Sequence, residues 1–300
     1  MRHRLAVLTT IALLAGACAP AWAAFEDIEV SPRFRAIGGA GVAAAADVYA
    51  ALGNPAALGW IEGVSGAASY VEPFSLGFAQ QNAVAATLPL SRRMGGVGFA
   101  VRTFGVRYQG ENLDNETTLS IAHGFPIMQD AQSALAVGWS VSLYSMSLGT
   151  SVTGIDPGKA STLGLGVGAV ALVRDRTRVG FAIENLNNPS LGDKDHEDLA
   201  RRLTGGVTYS PYAGVTTMLA MNSELGQGME YRGGVELQAT SFLWLRAGVA
   251  SDPNVFTAGL GLAVKGLELD YGFSSGGGVL GETHHIGLEV HARAPWEGRP

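Results

Sequence analysis

Apolar residues alternate with small or polar residues along most of the chain after its first two dozen positions. In the segment 161–173, Leu163, Leu165 and Val167 occupy odd positions, while the even positions begin with Thr162 and continue with glycines. A period of two residues is that of a β-strand, whose successive side chains point to opposite faces of the sheet. Beyond the N-terminus, no long segment shows the 3.6-residue period of an amphipathic helix. The pattern therefore predicts an all-β protein with one apolar face.

About fourteen such segments follow one another from residue 63 onward. Their predicted bounds are 63–70, 77–88, 95–107, 116–125, 132–148, 161–173, 176–186, 202–209, 214–222, 231–239, 242–250, 255–264, 267–273 and 283–292. Most have the length that a tilted strand needs to cross a bilayer, and an even strand number is usual for bacterial barrels. The sequence thus predicts an antiparallel transmembrane β-barrel over residues 63–294, followed by a short tail at 295–300.

The connections between these segments alternate in length. Those after even-numbered strands are tight, as at Arg174-Asp175 and Lys265-Gly266. Those after odd-numbered strands are mostly longer and polar: 108–115, 149–160, 187–201 and 274–282. A barrel with both chain ends at the periplasmic rim has short turns there and longer loops outside. A soluble β-sandwich gives the same alternation with its faces reversed, and it remains the alternative.

The N-terminus reads as an export signal. Three basic or imidazole residues, Arg2 to Arg4, precede an apolar run at 5–15, and Ala21-Trp22-Ala23 is an A-x-A cleavage site. We expect residues 1–23 to be a signal peptide cleaved after Ala23, which would leave a mature chain without cysteine. Lipidation at Cys18 is the competing interpretation. Together with the barrel pattern, the signal predicts insertion into the lipid bilayer of the bacterial outer membrane.

The composition also limits the classes of partner that we expect this protein to bind. Charged residues make up only 15% of the chain, against about a quarter in ordinary soluble domains, and the net charge is −6. An acidic balance gives no support for nucleic-acid binding. We therefore expect no nucleic-acid partner.

Residues 24–62 differ from the rest, and we call this segment the hatch. It contains a glycine-rich stretch with Gly38, Gly39 and Gly41, and then an alanine-rich piece at 43–52 that predicts a helix. The dipeptide Asn54-Pro55 is expected to stop that helix and set a turn. Because the segment is too irregular for a lipid-facing strand, we expect it to plug the barrel lumen.

Polar residues on the alternate face of the last strands are expected to line that lumen. An unpaired charge facing lipid costs about 2–4 kcal/mol at the midplane, so opposite charges should gather inside. The predicted lumen residues are Arg232, Glu236, Arg246, Glu268, Asp270, His285 and Glu289.

The hatch also carries a family resemblance. Residues 36–43 read Ala-Ile-Gly-Gly-Ala-Gly-Val-Ala, Asp47 follows, and 53–58 read Gly-Asn-Pro-Ala-Ala-Leu. This arrangement resembles the start of PorV/PorQ-type proteins and of the wider FadL-like outer-membrane barrels, with Ala57 where glycine is usual. Further similar blocks lie at 184–192, 243–248, 257–262, 267–273 and 281–286.

The resemblance implies a fourteen-stranded monomeric barrel plugged by its hatch. It implies a gating role for Gly38, Gly39, Gly41, Asp47, Asn54, Pro55 and Ala56. A FadL-like protein would take up small hydrophobic compounds or lipids, which enter an apolar pocket from the loop side and are released by hatch movement. A PorV-like protein would instead bind exported proteins of a type IX-like secretion or surface-attachment system.

The sequence signals for metal binding or catalysis are weaker than those for a barrel. We predict no metal site, cofactor or catalytic residue. His285, Glu289 and His291 share a strand face and are potential zinc ligands, but they lack compact ligand spacing, which favours a lumen hydrogen-bond network. The acidic loop at 193–198 lacks the spacing of a calcium loop.

Serines at 140, 142 and 145 with His123 would be the parts of a lipid hydrolase, the minor alternative. No G-x-S-x-G elbow accompanies them. The sequence therefore predicts a protein that is not an enzyme.

Overall fold

The computed structural model describes residues 25, 28–44, 47–130, 132–150, 158–192, 197–225, 228–277 and 281–293. The expected signal peptide, Cys18 and the tail at 295–300 lie outside these residues. Of the acidic loop, only Glu197 and Asp198 fall within them.

Fourteen strands form one closed barrel, and two further strands form a small separate pair. The barrel strands are β1 (Gly63–Glu72), β2 (Ala79–Ser91), β3 (Gly95–Tyr108), β4 (Glu111–Gln129), β5 (Ser133–Leu148), β6 (Lys159–Val173), β7 (Thr177–Glu184), β10 (Arg202–Tyr212), β11 (Val215–Glu224), β12 (Met229–Gln238), β13 (Leu243–Ser251), β14 (Asn254–Val264), β15 (Leu267–Ser274) and β16 (Thr283–Arg293). The small pair consists of β8 (Ser190–Leu191) and β9 (Glu197–Asp198). The predicted strand number and antiparallel barrel are confirmed.

Every barrel strand pairs antiparallel with its neighbour along the chain, and the last strand returns to the first. Tyr70 of β1 lies opposite Ile286 of β16, so the sheet has no free edge. Strand β7 pairs directly with β10 because β8 and β9 lie in the connection between them. Closure leaves no backbone hydrogen-bonding edge exposed to lipid, as a membrane-spanning sheet requires.

The rims differ much as predicted. We call the rim where the chain enters β1 and leaves β16 the turn side, and the opposite rim the loop side. Turn-side hairpins are tight, with both Arg174 and Asp175 at positive φ between β6 and β7. On the loop side, the connection from β7 to β10 spans residues 185–201. The longest described connection therefore lies opposite the rim where β1 begins and β16 ends.

One predicted loop is wrong. The connection expected at 108–115 is a two-residue turn, Gln109-Gly110, since β3 extends to Tyr108 and pairs there with Glu111. Gln109 and Gly110 both have positive φ, at 51° and 89°. Such turns follow the twist of a hairpin, so the polar residues after Gly110 continue β4 instead of forming a loop.

The outer face of the barrel is apolar. Leu219 is 70% exposed, Val84 57%, Phe99 45% and Trp139 44%, and these side chains belong to separate strands around the wall. A soluble monomer rarely exposes a contiguous apolar patch beyond a few hundred Å². An apolar band around a closed barrel is the surface that lipid covers, which excludes the soluble sandwich.

The hatch lies inside the barrel and contains two short helices. Helix α1 (Pro32–Ala36) is capped by Ser31, and a 3₁₀-helix, η1 (Pro55–Trp60), precedes β1. A second 3₁₀-helix, η2 (Pro73–Ser75), lies between β1 and β2 on the loop side. In the described part of the chain, no helix is long and apolar enough to cross a membrane.

The helix predicted at 43–52 is wrong for the residues described there. They form successive four-residue turns, with Ala50 N donating to Asp47 O at 3.1 Å and Leu52 N to Tyr49 O at 2.8 Å. The side chain of Asp47 also accepts from Tyr49 N at 2.8 Å, which ties the backbone into a local turn. Asn54-Pro55, expected to end a helix, instead begins η1, because proline suits a first helical position.

Candidate functional site

The two sequence motifs of the hatch meet through Asn54. Its Oδ1 accepts from Ala56 N at 3.1 Å and caps η1, while its Nδ2 donates to Val42 O at 2.8 Å. The same Nδ2 lies 3.4 Å from Ala169 O in the barrel wall. One amide therefore joins the glycine-rich stretch, the Asn-Pro-Ala turn and β6.

The predicted hatch glycines serve close packing. Gly38 and Gly39, at φ of 68° and 76°, reverse the chain after α1, and Gly39 N donates to Phe34 O at 2.8 Å. A Cβ on Gly41 would fall 2.6 Å from the ring of Phe34. Pro55 and Ala56 are fully buried at the other motif. Side chains larger than hydrogen would separate the turns that these glycines bring together.

Asp47 joins the two halves of the hatch. Its buried carboxylate accepts from Ser31 Oγ at 3.1 Å and from Tyr49 N at 2.8 Å. Burial raises the pKa of Asp47, and the positive charge of Arg33 opposes that rise. The α1 end of the hatch is thus tied to its central turns.

Glycines on the inner wall let the hatch backbone approach the strands. A Cβ on Gly138 would lie 2.5 Å from Pro55 C, one on Gly124 2.3 Å from Pro55 O, and one on Gly248 2.3 Å from Ile37 C. Equivalent close approaches occur at Gly168, Gly180, Gly234, Gly272 and Gly287. These wall glycines span β4 to β16. The hatch therefore touches most of the barrel circumference.

A charge cluster fixes the hatch to the turn-side half of the wall. Arg33 donates from Nε and Nη2 to the two carboxylate oxygens of Glu236, at 2.9 and 2.8 Å. Arg246 donates to Glu236 at 2.8 Å, to Glu268 at 3.3 Å and also to Asp270. We call Arg33, Arg246 and these three carboxylates the latch. Four of its five members are predicted lumen residues, and Arg33 is the addition that the sequence pattern did not supply.

The other predicted lumen residues also face inward but lie outside the latch. Arg232 pairs with Glu230 at 2.6 Å, and His285 is fully buried. Glu289 lies 3.5 Å from His291 Nε2. Among the described residues, no three histidine, cysteine, aspartate or glutamate side chains form a group that could hold a metal ion.

The serine and histidine residues considered for hydrolysis lie on opposite faces. His123 stacks against Phe125 and contacts Trp139 on the outer wall, and it lies 2.8 Å from Met94 O. Ser142 is hydrogen-bonded to Ser120 at 2.7 Å on the inner face. The wall thus separates imidazole from hydroxyl, and these residues do not form a catalytic pair.

Two adjoining cavities occupy the loop-side half of the lumen. The larger, of about 360 Å³, is the vestibule, and it opens beside η2 and the ends of β7 and β10. Its wall carries arginines and acids, among them Arg35, Arg202, Glu184 and Glu224. Charged strand ends therefore surround this entrance.

The apolar surface lies deeper. A second cavity of about 110 Å³, the inner pocket, is bounded by hatch residues. Its apolar lining is Ile28, Val30, Phe34, Val42, Ala44, Tyr49, Ala50, Leu52 and Ala57. Vestibule and inner pocket share Ile28, Arg102 and Arg202 in their walls, so they adjoin.

Sequence reasoning missed several residues of these cavities, including Arg102, Tyr144 and Arg202. Tyr144 donates to Asn185 Oδ1 at 2.9 Å and packs edge-on against Phe25, with ring centroids 5.0 Å apart. They occupy the same alternate strand positions as the inward-facing glycines. The alternation of inward and outward residues along β3 to β10 therefore predicts that they face the lumen.

Comparison with known proteins gives the fold. No family model matches the chain, and no curated protein matches it. A solved structure of the Pseudomonas putida toluene transporter TodX is similar, with a TM-score of 0.58 and 12% identity, over 88% of this chain and 97% of that one. The CymD monoaromatic hydrocarbon channel matches with a TM-score of 0.57 and 12% identity, over 89% and 98%.

A Pseudomonas aeruginosa FadL homologue is also similar, with a TM-score of 0.56 and 12% identity, over 88% of this chain and 98% of that one. At such identities the likeness establishes a fold and nothing finer. The chain has the architecture of FadL-type outer-membrane barrels, while the PorV/PorQ-type resemblance stays a prediction.

Proposed function

We propose that this protein is an outer-membrane channel for small, largely apolar compounds, gated by its hatch. The observation that carries the proposal is the pair of adjoining cavities: a vestibule on the loop side leads to an inner pocket that ends on the hatch. The barrel provides a passage through the bilayer, and the hatch interrupts it.

The inner pocket limits the size of the compound. Its volume is about 110 Å³, and its aliphatic and aromatic part is formed by hatch residues, beside the arginines and carboxylates of its wall. An engineered apolar cavity of about 150 Å³ in another protein holds benzene. A compound with a single ring or a short branched chain would therefore need only a small displacement of the hatch to fit.

The names of similar structures support this class of compound. One is a toluene transporter and another is a monoaromatic hydrocarbon channel. The PorV-like alternative lacks such support.

The hatch must move if a compound is to continue to the turn side. Below the inner pocket, the latch fixes α1 to the wall, with Arg33 bound to Glu236 through two hydrogen bonds. The inward glycines hold the hatch backbone against the strands on other sides. Release of the hatch, in whole or in part, would open the passage.

A reversible disulfide between the hatch and the wall tests whether the hatch gates the passage. A Cβ on Gly98 would lie 3.4 Å from the Cβ of Ala51, close to the separation of about 3.5–4.5 Å in a disulfide. We would introduce Ala51→Cys and Gly98→Cys with Cys18→Ser, so that the chain carries only the two engineered thiols. Uptake of radiolabelled toluene is measured in cells whose own outer membrane lacks FadL-type channels.

We expect the oxidised protein to take up toluene at the rate of channel-free cells, and reduction to restore the wild-type rate. Each single-cysteine variant, treated with the same oxidant, is the control and should keep full uptake. Equal uptake before and after reduction of a fully formed disulfide would show that the hatch does not gate the path. No uptake by the wild type would refute the channel itself.

A further inference from the structure

One arginine borders both cavities without an acidic partner. Arg102 lies on β3 and lines the vestibule, the inner pocket and a third cavity of about 30 Å³. Within the described residues, it makes one hydrogen bond, from Nη2 to Thr118 Oγ1 at 3.4 Å, and no ion pair. A guanidinium has five N–H donors, so most of its donor capacity is free for a ligand.

The other arginines of the inner pocket already have partners. Arg202 lies 3.2 Å from Glu184 and 3.9 Å from Glu224, and Arg232 lies 2.6 Å from Glu230. Arg102 is therefore the guanidinium of this pocket whose charge a ligand would balance, in the part of the chain that is described.

The carboxylates bordering the inner pocket also have partners. Glu184 pairs with Arg202, Asp47 accepts from Ser31 and Tyr49, and Glu29 accepts from Ser31 N at 3.0 Å. None of them lies within ion-pair distance of Arg102. An incoming anion would thus meet an available cation without having to displace an internal carboxylate.

Hydroxyl groups line the third cavity, which Arg102 also borders. They belong to Thr118, Ser140, Ser142 and Tyr144, and the carboxylate on the same wall, Glu184, is paired with Arg202. Hydroxyls and a guanidinium together match the several lone pairs of a carboxylate. The apolar lining of the inner pocket begins beside them, with Leu52 bordering both cavities.

We propose that the inner pocket favours small apolar compounds that carry one carboxylate over neutral compounds of the same shape, and that Arg102 binds that carboxylate. This rests on the channel proposed above and names its substrate class. The planar fork of the guanidinium donates to both carboxylate oxygens, while the ring or short chain lies among the hatch residues. A single unpaired arginine balances one negative charge, so a monoanion fits and a dianion leaves one charge without a partner.

Benzoate and benzamide test this selection, because they share a shape and differ in charge. Binding of each to the purified full-length protein in a non-ionic detergent is measured by isothermal titration calorimetry. A hydrogen bond to a charged group contributes enough to make benzoate bind about tenfold or more tighter than benzamide. We expect Arg102→Gln to abolish this preference and Arg102→Lys to keep part of it, since an ammonium retains the charge without the fork.

Arg178→Gln is the matched control. Arg178 on β7 has the inward parity of its strand and borders none of these three cavities. It should keep the preference for benzoate. A mobility difference between unboiled and boiled samples on a detergent gel confirms that each variant is folded.

The outcomes separate the two proposals. Wild-type protein that binds both compounds equally, or a folded Arg102→Gln variant that still prefers benzoate, overturns the role of Arg102 and leaves the channel standing if toluene uptake is intact. Loss of benzoate binding in Arg178→Gln as well would mean that net lumen charge, and not Arg102, sets the preference. If neither compound binds and toluene is not taken up, both proposals fail.

Discussion

At the scale of single residues, glycines on the inner face of the wall position the hatch, because they have no side chain. The inward face of the wall carries glycines where a Cβ would collide with hatch backbone, as at Gly138 and Pro55. The outward face carries exposed aliphatic and aromatic side chains. The unusually high number of glycines, 42, follows in part from filling a narrow lumen with polypeptide.

A substitution at one wall glycine tests this packing. Gly138→Val would place side-chain carbon within 2.5 Å of Pro55 and push η1 from the wall, so we expect a loss of about 1–3 kcal/mol in unfolding free energy. Urea titration of the detergent-solubilised protein gives that value, and limited proteolysis reports exposure of the hatch. Gly66→Val is the control, because a Cβ there meets nothing nearer than 3.9 Å. Equal stability of the two variants would contradict the packing argument.

At the scale of elements, the latch determines how hatch and barrel are joined. Glu236 accepts from Arg33 of the hatch and from Arg246 of β13, so one carboxylate serves both. Arg246 also binds Glu268 and Asp270 of β15. Removing Arg33 or Arg246 breaks buried ion pairs in both cases. The two changes differ in how many carboxylates lose an arginine partner.

Substitutions of the two arginines should therefore have different effects on the protein. Arg33→Met leaves Glu236 paired with Arg246, so we expect the barrel to stay folded while the hatch becomes accessible to protease. Arg246→Met leaves Glu268 and Asp270 without their arginine and Glu236 with only Arg33. Breaking a buried pair on one side costs about 3–5 kcal/mol, so the barrel itself should be destabilised.

Urea midpoints and hatch cleavage distinguish these effects. Arg92→Met, on the turn between β2 and β3, is the control and should behave as wild type. If the barrel of Arg33→Met were as unstable as that of Arg246→Met, the hatch would be required for the wall to fold.

At the scale of the whole molecule, the barrel closes without help from the hatch. Strands β1 and β16 pair over ten residues from Gly63 to Glu72, and the ring of hydrogen bonds runs through wall strands alone. The hatch lies within that ring, and the charged vestibule lies above it on the loop side. Wall and plug are thus separable in principle.

Deletion of residues 38–58 tests that separability. The variant should remain in the outer-membrane fraction and migrate faster on a detergent gel before boiling than after, because the closed barrel resists the detergent. It should also admit hydrophobic dyes faster than wild-type protein, since the plug is gone. A folded variant with unchanged dye entry would refute the plug, and a variant without a mobility shift would show that the wall depends on it.

The strand pattern and several lumen residues could be predicted from sequence because their rules are local. Alternation with a period of two marks the strands, and the same parity places Glu236, Arg246, Glu268 and Asp270 on one inner face. The turn at Gln109-Gly110 was missed, since a polar run is compatible with both a loop and a strand that extends beyond the membrane.

The hatch was predicted as a segment but not in its internal structure. Alanine content favours a helix, yet the described residues of 43–52 follow turns set by Asp47 and by contact with the wall. The pairing of Arg33 with Glu236 joins positions 203 residues apart, so no spacing rule could supply it.

The sequence by itself determined a closed fourteen-stranded barrel with an apolar exterior and a polar, glycine-rich interior, because side-chain alternation along a strand follows from backbone geometry. Only the tertiary structure decided where the hatch lies, which charges form the latch, and that Arg102 borders three cavities without an acidic partner among the described residues. Those features depend on which strands meet around the ring and on how an irregular segment fills the space they enclose. They are contacts between distant parts of the chain, and a local period carries no information about them.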